Sequence, residues 1–533
     1  MATDLGLIGH ETELPDLSPD GLSEVAALRQ RTLRSLEPVV AVDDTDQTTI
    51  AALRDQLDIA ERIGQTGDLA RLNNLNSPLQ TIRRVFDLMA TSTTEDWAGI
   101  ATRLNRVPQA IAGYIQSLRH AASRGHASPQ RQVAAGIDQI QAMVGPGGFF
   151  ATYAKGAATD DGALPEALRA DVERGARAAA GAYEVLATFL RTELLPVAPA
   201  TDAVGIDRYR LYSRHFLGTS IDLRETYEWG LSELREITTR MRGTAGRIAP
   251  GATVREAMAK LSSDPSRKLS GVDALRDWMQ ATSDAAIDAL AGRHFDIPAP
   301  VRVLECRIAP TPGGTIYYTG PNEDFSRPGR MWWAVPEGVT EFTTWRELST
   351  VYHEGVPGHH LQVAQTVYHR EHLNRWRRLG SWVDGHGEGW GLYAERLMDE
   401  LGFLEDPGDL LGMLDSQSFR AVRVVIDIGF HCGFAAPAEV GGGDWTYDKA
   451  LRLLTSYSAK APSRLAFELD RYLGLPGQAS SYKIGERYWL RLRDEARSRS
   501  GSAFDLKAFH RNALDLGSIG LDALRAALLP DRG

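Results

Sequence analysis

Apolar residues recur every three or four positions along most of the first 260 residues, with polar residues between them. Such spacing places the apolar side chains on one face of a helix and the polar ones on the other. Helices are predicted in this way over residues 22–37, 46–63, 78–90, 94–123, 129–144, 165–192, 221–246 and 253–262. Ser directly precedes Pro at positions 18–19, 77–78 and 128–129, which is a common entry into a helix. The pattern therefore predicts a mainly α-helical fold.

Alternation typical of strands occurs only between residues 301 and 338. Three short runs, 301–304, 315–318 and 331–335, are rich in β-branched and aromatic residues and are separated by Pro and Gly turns. They predict a small antiparallel sheet. An edge strand of this sheet could hold an extended peptide by backbone hydrogen bonds, or the sheet could simply cover the core. The sequence leaves both roles open.

The length of the chain and the distribution of its motifs suggest how it is divided. The chain has 533 residues, of which 43% are hydrophobic and 24% are charged, so it can bury a large core. We divide it into an N-terminal helical region over 1–200 and a catalytic region over 201–533. Because the chemical motifs are spread over about 300 residues, we expect one continuous structural unit.

A cluster of histidines carries most of the chemical information. Three imidazoles and one carboxylate fall within the eight residues from His353 to His360, at the end of a helical pattern over 345–362. Neutral imidazole is a good zinc ligand, and a Glu next to a ligand His is the usual proton acceptor of zinc hydrolases. The cluster therefore predicts a metal site with Glu354 as the general base.

The spacing within this cluster leaves two candidates for the second histidine ligand. The usual zinc helix places its two His four residues apart, but Pro357 stands four residues after His353. A break at Pro357-Gly358 would absorb two extra residues and return His359 to the metal. We favour His359, and His360, seven residues after His353, stays an alternative ligand.

A third ligand is expected from another helix, with one position left open for water. Glu388 begins a second segment with helical periodicity and is the best candidate. Glu395 follows seven residues later on the same face, which suits a partner that orients a ligand. Gly residues alternate around Glu388, so that other groups can approach it closely. We expect one Zn²⁺ per chain.

Several blocks of the sequence resemble a large bacterial family known as domain of unknown function eight-eight-five. The string HEGVPGHHLQ occupies 353–362 and EGWGLYAE occupies 388–395. Further blocks that match the family are ELDRYLGLPGQASSYKIG over 468–485 and RLRDEA over 491–496. The resemblance covers most of residues 205–515, whereas the first 200 residues resemble the family only in their helical character.

The family is similar in turn to zinc metallopeptidases of the oligopeptidase and carboxypeptidase type. The resemblance implies a large helical fold with a deep cleft. It also implies that His353, His359 and Glu388 are the metal ligands and that Glu354 is the general base. One departure is Gly391, where the family usually has Ala, and this departure slightly loosens the second helix.

The predicted function is zinc-dependent hydrolysis of a peptide or amide bond. Zinc lowers the pKa of its bound water and polarises a carbonyl group, while Glu354 accepts the water proton and passes it to the leaving nitrogen. The tetrahedral oxyanion needs a further donor. Tyr482 is the first candidate for this catalytic role, followed by His431 and Tyr457.

The substrate expected for such a site is a short peptide or a small amide. If it has a free carboxylate, Arg471, Arg487 or Arg491 could bind that group through two parallel hydrogen bonds. Tyr457 is a further candidate for substrate binding.

Two other functions are compatible with the same sequence. One is a metal-dependent hydrolase of a small amide-containing metabolite, with the same ligands. The other is a helical binding protein with a degenerate site, although the intact Glu354 argues against degeneration because a protein without catalysis needs no base there.

Charge, cysteine content and hydrophobicity argue against several other classes of protein. The net charge of −10, with no long basic run, argues against nucleic-acid binding. Cys306 and Cys432 are too few and too far apart for a disulfide framework. The first residues show no positively charged stretch followed by an apolar one, so we expect no signal peptide. No apolar run reaches 18 residues, so we expect no membrane span and a cytoplasmic location.

Overall fold

The computed structural model describes residues 2–3, 5, 7, 9–309 and 316–530, and within them the chain is mainly α-helical, as predicted. The first helices are α1 (Pro19–Leu36), α2 (Asp44–Gln65), α3 (Pro78–Arg84), α4 (Thr94–Ser123), α5 (Gln130–Val144), α6 (Phe149–Lys155) and α7 (Glu166–Phe189). The following ones are α8 (Ile206–Leu217), α9 (Leu223–Ile248), α10 (Val254–Ser263), α11 (Val272–Leu290), α12 (Thr344–Glu354), α13 (His359–Tyr368) and α14 (Asp384–Glu400). The last are α15 (Pro407–Cys432), α16 (Tyr447–Ser456), α17 (Pro462–Gly474), α18 (Gln478–Ser500), α19 (Leu506–Asp515) and α20 (Leu521–Leu528). None of the helices described here combines the length and the apolar composition that crossing a membrane requires.

Side-chain caps determine where several helices begin. Thr93 Oγ1 accepts a hydrogen bond from the backbone of Asp96 at 3.1 Å, and the Asp96 carboxylate accepts one from the backbone of Thr93 at 2.9 Å. This reciprocal pair fixes the first turn of α4. The first two Ser-Pro pairs begin α1 and α3 as predicted. In the third pair the Ser128 hydroxyl instead accepts from the backbone N–H of Leu72 at 2.8 Å, and α5 begins at Gln130.

The chain forms two compact units. The first comprises Met1–Val39, Leu57–Val204 and Ala466–Leu475, and the second comprises Val40–Gln56, Gly205–Leu465 and Pro476–Gly533. One boundary between the units follows Val204, and the division proposed from the sequence lies between residues 200 and 201. Two segments cross that division: 40–56 belongs to the second unit, and 466–475 belongs to the first.

The first unit is a bundle in which α4 packs along α7. Its buried core includes Trp97, Tyr114 and Tyr183, and the Tyr183 hydroxyl donates to the carbonyl of Leu79 at 2.8 Å. The segment 466–475 joins this unit through its backbone. Gln132, for example, donates to a carbonyl of this segment at 2.8 Å.

The second unit is built around α15, against which α9, α12 and α18 pack, while α14 packs on α18 and α12. Helices α14 and α18 cross where Gly389 faces Gly485. A Cβ atom on Gly389 would lie 2.6 Å from the Cα of Gly485, so a side chain has no room there. All the predicted site residues except Arg471 belong to this unit.

The short strands are β1 (Ala158–Thr159), β2 (Gly162–Ala163), β3 (Lys268–Ser270), β4 (Leu304–Ile308), β5 (Tyr317–Thr319), β6 (Gly329–Trp333) and β7 (Glu341–Thr343). A three-stranded sheet forms in the order β4-β6-β5, in the region predicted from the alternation. The prediction that it is antiparallel is correct for β5 with β6 and wrong for β4 with β6, which are parallel. The two edge strands β4 and β5 run in opposite directions, so the central strand β6 must be parallel to one of them. Of the predicted strand 315–318, Thr315 lies outside the described residues.

Candidate metal centre

The histidine motif spans a break between two helices. Helix α12 ends at Glu354 and α13 begins at His359, so the single helix predicted over 345–362 is in fact two. Between them, a Cβ atom on Gly358 would overlap backbone carbonyl oxygens of α12, and only glycine leaves room for the turn. The Trp390 indole N–H donates to the carbonyl of Pro357 at 2.9 Å and fixes the connection. The break absorbs the two residues by which the motif exceeds the usual spacing.

The break brings two imidazoles to one carboxylate. The Nε2 atoms of His353 and His359 each lie 3.4 Å from Oε2 of Glu388, which comes from α14. One ligand atom from each of these three residues lies within 4.8 Å of the others. The two rings are nearly perpendicular, with centroids 4.7 Å apart. Two imidazole nitrogens and a carboxylate oxygen form a common zinc-binding set that leaves a fourth position open.

Hydrogen bonds orient both rings for metal binding. Nδ1 of His353 lies 2.8 Å from Oε1 of Glu395, and Nδ1 of His359 lies 3.3 Å from Oε1 of Gln362. Both partners are acceptors, so each Nδ1 donates, and Nε2 is the atom of each ring that faces Glu388. A metal ion would bind at Nε2 in place of a proton, and the donor set of two imidazoles and one carboxylate fits a divalent transition metal.

The local charges also favour a cation. Burial alone would lower the pKa of His353, but hydrogen bonds with Glu388 and Glu395 outweigh it and raise this pKa to about 10. Burial would raise the pKa of the Glu388 carboxyl, but hydrogen bonds from His353 and His359 hold it well below its usual value. The centre thus stabilises positive charge between its carboxylates, whether a proton or a metal ion supplies it.

Glu354 is the last residue of α12 and is buried next to the two imidazoles. Burial raises the pKa of its carboxyl group, and the nearby His359 and His353 lower it by less. Within the described part of the chain its carboxylate makes no hydrogen bond or ion pair. A carboxylate with a raised pKa and free lone pairs can accept a proton near neutral pH.

His360, the alternative ligand, points away from this cluster. Its Nδ1 lies 3.0 Å from the Tyr318 hydroxyl and its Nε2 lies 2.7 Å from the carbonyl of Val301. The carbonyl can only accept, so Nε2 carries the proton and Nδ1 accepts from the phenol. Burial lowers the pKa of His360 to about 4. Both nitrogens are engaged, and this ring anchors α13 to the segment before β4.

Tyr482 lies on α18, three residues before the point where that helix crosses α14 at Gly485. Its side chain is half-buried, and the guanidinium carbon of Arg423 lies 5.0 Å from its ring centroid. The crossing places this turn of α18 next to the start of α14, where Glu388 is found.

His431 and Tyr457 have partners of their own. His431 is fully buried in α15, and its Nε2 lies 3.7 Å from Asp427. Asp427 also accepts a hydrogen bond from the Tyr209 hydroxyl at 2.8 Å. The Tyr457 hydroxyl donates to the Glu439 carboxylate at 3.1 Å. The structure does not bring either residue into the cluster of ligands.

Two of the three arginines proposed to bind a substrate carboxylate are paired with acidic residues. Arg487 donates to both carboxylate oxygens of Glu225, and its guanidinium lies over the Trp229 ring. Arg471 belongs to the first unit, where its Nη1 lies 3.3 Å from the Glu468 carboxylate. Arg491 is exposed one turn after Arg487.

Four neighbours of the centre were not predicted. Gln362 orients His359, and Ser349 donates a hydrogen bond to Glu395. Each lies one helical turn from a ligand in the sequence, which is a signal that could have identified them. Arg420 from α15 approaches Glu395 at 4.0 Å, and the Trp382 ring lies 5.8 Å from that of His359. The positions of these last two depend on tertiary packing, for which the sequence has no local signal.

The packing of helix α14 against His353 accounts for the glycine at position 391, where the family usually has Ala. A Cβ atom on Gly391 would lie 2.5 Å from Cε1 of His353, and helix α14 therefore lies directly against this imidazole. The glycine was predicted to loosen the helix slightly. In the structure it also admits the ligand ring.

Comparisons with known proteins agree with the helical fold. The structure of "the putative lipoprotein from Colwellia psychrerythraea" is similar, with a TM-score of 0.83 and 23% identity over 99% of this chain and 94% of that one. A "putative lipoprotein of unknown function from Shewanella oneidensis" is similar with a TM-score of 0.71 and 16% identity, over 99% of this chain and 96% of that one. These identities support the fold alone.

No curated protein matches the chain. Residues 1–528 match the family described as bacterial protein of unknown function (DUF885). The match includes the first 200 residues, which by their sequence resembled the family only in their helical character. The chain therefore belongs to this family over nearly its whole length.

Proposed function

We propose that the protein is a zinc-dependent hydrolase that cleaves peptide or amide bonds. The observation that carries this proposal is the convergence of His353 Nε2 and His359 Nε2 on the Glu388 carboxylate, each at 3.4 Å. Glu395 and Gln362 accept hydrogen bonds from the two Nδ1 atoms, so the two Nε2 atoms are the ones that would coordinate a metal ion. One Zn²⁺ per chain would be held by these three residues.

A bound zinc ion would supply a polarising positive charge and would lower the pKa of a coordinated water. Glu354 would take a proton at its carboxylate and return it to the leaving nitrogen. Its burial, which raises the pKa of this carboxyl, and its lack of other hydrogen bonds among the described residues suit that exchange. Tyr482 stays our candidate for the donor to the oxyanion, because a phenol donates without a fixed charge.

The substrate we propose is a short peptide or a small amide. The three ligands and Glu354 are almost entirely buried, with Glu388 the most exposed at 17% of its side chain. Such a site suits a narrow, extended substrate better than a folded surface. The cytoplasmic location stays a prediction, and both similar structures are described as those of a "putative lipoprotein".

Metal content tests the site directly. Elemental analysis of the purified protein should give about one zinc per chain, and His353→Ala, His359→Ala and Glu388→Ala should each lose it. His360→Gln is the matched control, because this neighbouring imidazole binds Tyr318 and Val301 instead. It should keep its zinc. A wild-type protein without zinc after reconstitution would refute the proposal.

Hydrolysis is tested with Glu354→Gln and a library of short peptides. This variant should keep its zinc, because the residue is not one of the three clustered ligands. We expect turnover to fall by about 10²- to 10⁴-fold, the usual contribution of a general base. A chelator should abolish the activity of the wild type. Turnover equal to that of the wild type in Glu354→Gln would exclude the proposed base.

A further inference from the structure

Trp382 is an exposed aromatic residue beside a buried metal centre. Its residue surface is 43% exposed, whereas His359 is 6% exposed, and the two rings lie 5.8 Å apart. A single exposed aromatic side chain is ordinary on a protein surface, but this one lies against the ring of a candidate ligand at a buried centre. The indole therefore forms part of the surface from which a substrate would approach His359.

The backbone on either side of this indole is anchored. The Ser381 hydroxyl donates to the carbonyl of Ser518 at 2.5 Å, and the backbone N–H of Val383 donates to the Ser518 hydroxyl at 3.0 Å. The indole rests on Gly387, where any Cβ atom would overlap its six-membered ring. Trp382 is thus held in place as a rigid surface just before Glu388, and it is not a mobile surface side chain.

The chemistry of this surface restricts what can bind there. An indole face offers a large apolar contact area and pairs well with other aromatic rings. The carboxylates of Glu354, Glu388 and Glu395 lie close to the two imidazoles, so an acidic side chain would be repelled. An apolar side chain, above all an aromatic one, is the group that fits best.

We propose that Trp382 is a specificity-determining residue, whose indole packs against an apolar or aromatic side chain adjacent to the bond that is cleaved. This inference rests on the proposed function, since it assigns the substrate class of the same site. The alternative role for the same geometry is that the indole only shields His359 from water. The first role predicts that Trp382 affects the preference between two side chains, and the second predicts that it affects zinc affinity alone.

The test uses amino-acid hydroxamates, which bind zinc through the hydroxamate group, as probes of the zinc-loaded protein. Binding of phenylalanine hydroxamate and of glycine hydroxamate is measured by calorimetry. We expect the wild type to prefer the phenyl compound by about tenfold, from one added aromatic contact. Trp382→Ala should lose this preference, and Trp382→Phe should keep part of it. Gly387→Ala should reduce it by displacing the indole.

Tyr368→Ala is the matched control, because Tyr368 is similarly exposed at 44% and lies at the far end of α13. It should keep the full preference. An unchanged preference in Trp382→Ala, or a loss of zinc affinity without loss of preference, would overturn the inference and leave the shielding role. A Trp382-dependent preference for lysine hydroxamate would overturn the apolar substrate class. If the wild type binds no zinc, the proposed function itself fails, which is a different result.

Discussion

Glu395 gives the sharpest test of the proposed metal centre. Its Oε1 lies 2.8 Å from Nδ1 of His353, its Oε2 accepts a hydrogen bond from the Ser349 hydroxyl, and the residue is completely buried. Burial alone would raise the pKa of this carboxyl, but the charge of Arg420 and the hydrogen bond with His353 outweigh it, so the group is ionised. Glu395→Gln keeps the shape and an acceptor for Nδ1 and removes only the negative charge.

The size of the effect follows from the distance between this charge and the ion. One imidazole and one Zn–N bond would separate the carboxylate from a zinc ion by about 6 Å. At an effective dielectric constant of about 20, a unit charge and a divalent ion at this distance attract each other by about 5 kcal/mol. Arg420, at 4.0 Å from Glu395, offsets part of this attraction. We therefore expect the loss typical of groups that orient a ligand, about 10- to 100-fold in zinc affinity.

The assay is competition for zinc against a chromophoric chelator at neutral pH, with the wild type and Glu395→Gln compared. Glu400→Gln is the control, since it makes the same change on the same helix but on an exposed residue that pairs with Arg493. The reasoning is refuted if the affinity of Glu395→Gln lies within about twofold of the wild type. It is equally refuted if Glu400→Gln loses as much.

Further predictions concern three other positions. Gly391→Ala should weaken zinc binding and lower the thermal midpoint of the metal-free protein, because its Cβ would lie 2.5 Å from Cε1 of the buried His353 ring and this overlap outweighs the higher helix propensity of Ala; titration and melting curves together check this. Tyr482→Phe should lower kcat by about 100-fold with little change in KM, which steady-state kinetics on a cleaved peptide would show. Burial raises the pKa of Asp427 to about 6, more than hydrogen bonds from its neighbours lower it. The folded protein then binds this proton more tightly than the unfolded chain, so stability falls by about 3 kcal/mol as pH rises from about 4 to about 6. Asp427→Asn should remove that part of the pH dependence. If the melting midpoint of the variant falls between about pH 4 and about pH 6 by as much as that of the wild type, the assignment is wrong.

The sequence predicts much of the fold because helical periodicity is a local property. The helix predicted over 94–123 has the observed bounds of α4, since its apolar face is long and its cap lies in the adjacent residues. The arrangement of the three-stranded sheet was harder to predict. Nothing in the alternation of β4, β5 and β6 specifies that the last strand lies between the other two, so the parallel pair was missed.

The same distinction applies to the centre. His353, His359 and Glu388 lie in short motifs with a glycine-rich turn between or beside them. Their spacing favoured His359 over His360 and made Glu388 a candidate, and the family resemblance implied the full set. Arg420 and Trp382 reach the centre from α15 and from the segment before α14. Their proximity depends on how helices pack, and a helical pattern specifies only which face is apolar and not which neighbour it meets.

The break between α12 and α13 would make the local order of the protein depend on a bound metal ion. A zinc ion bound by His353 and His359 would link the end of one helix to the start of the next, across a connection held by few backbone hydrogen bonds, such as that from Gly358 to the carbonyl of Tyr352 at 3.1 Å. Binding energy at such a site is also local folding energy. Chelation should therefore increase amide hydrogen exchange in the ten-residue α13 while leaving most of the helical content intact.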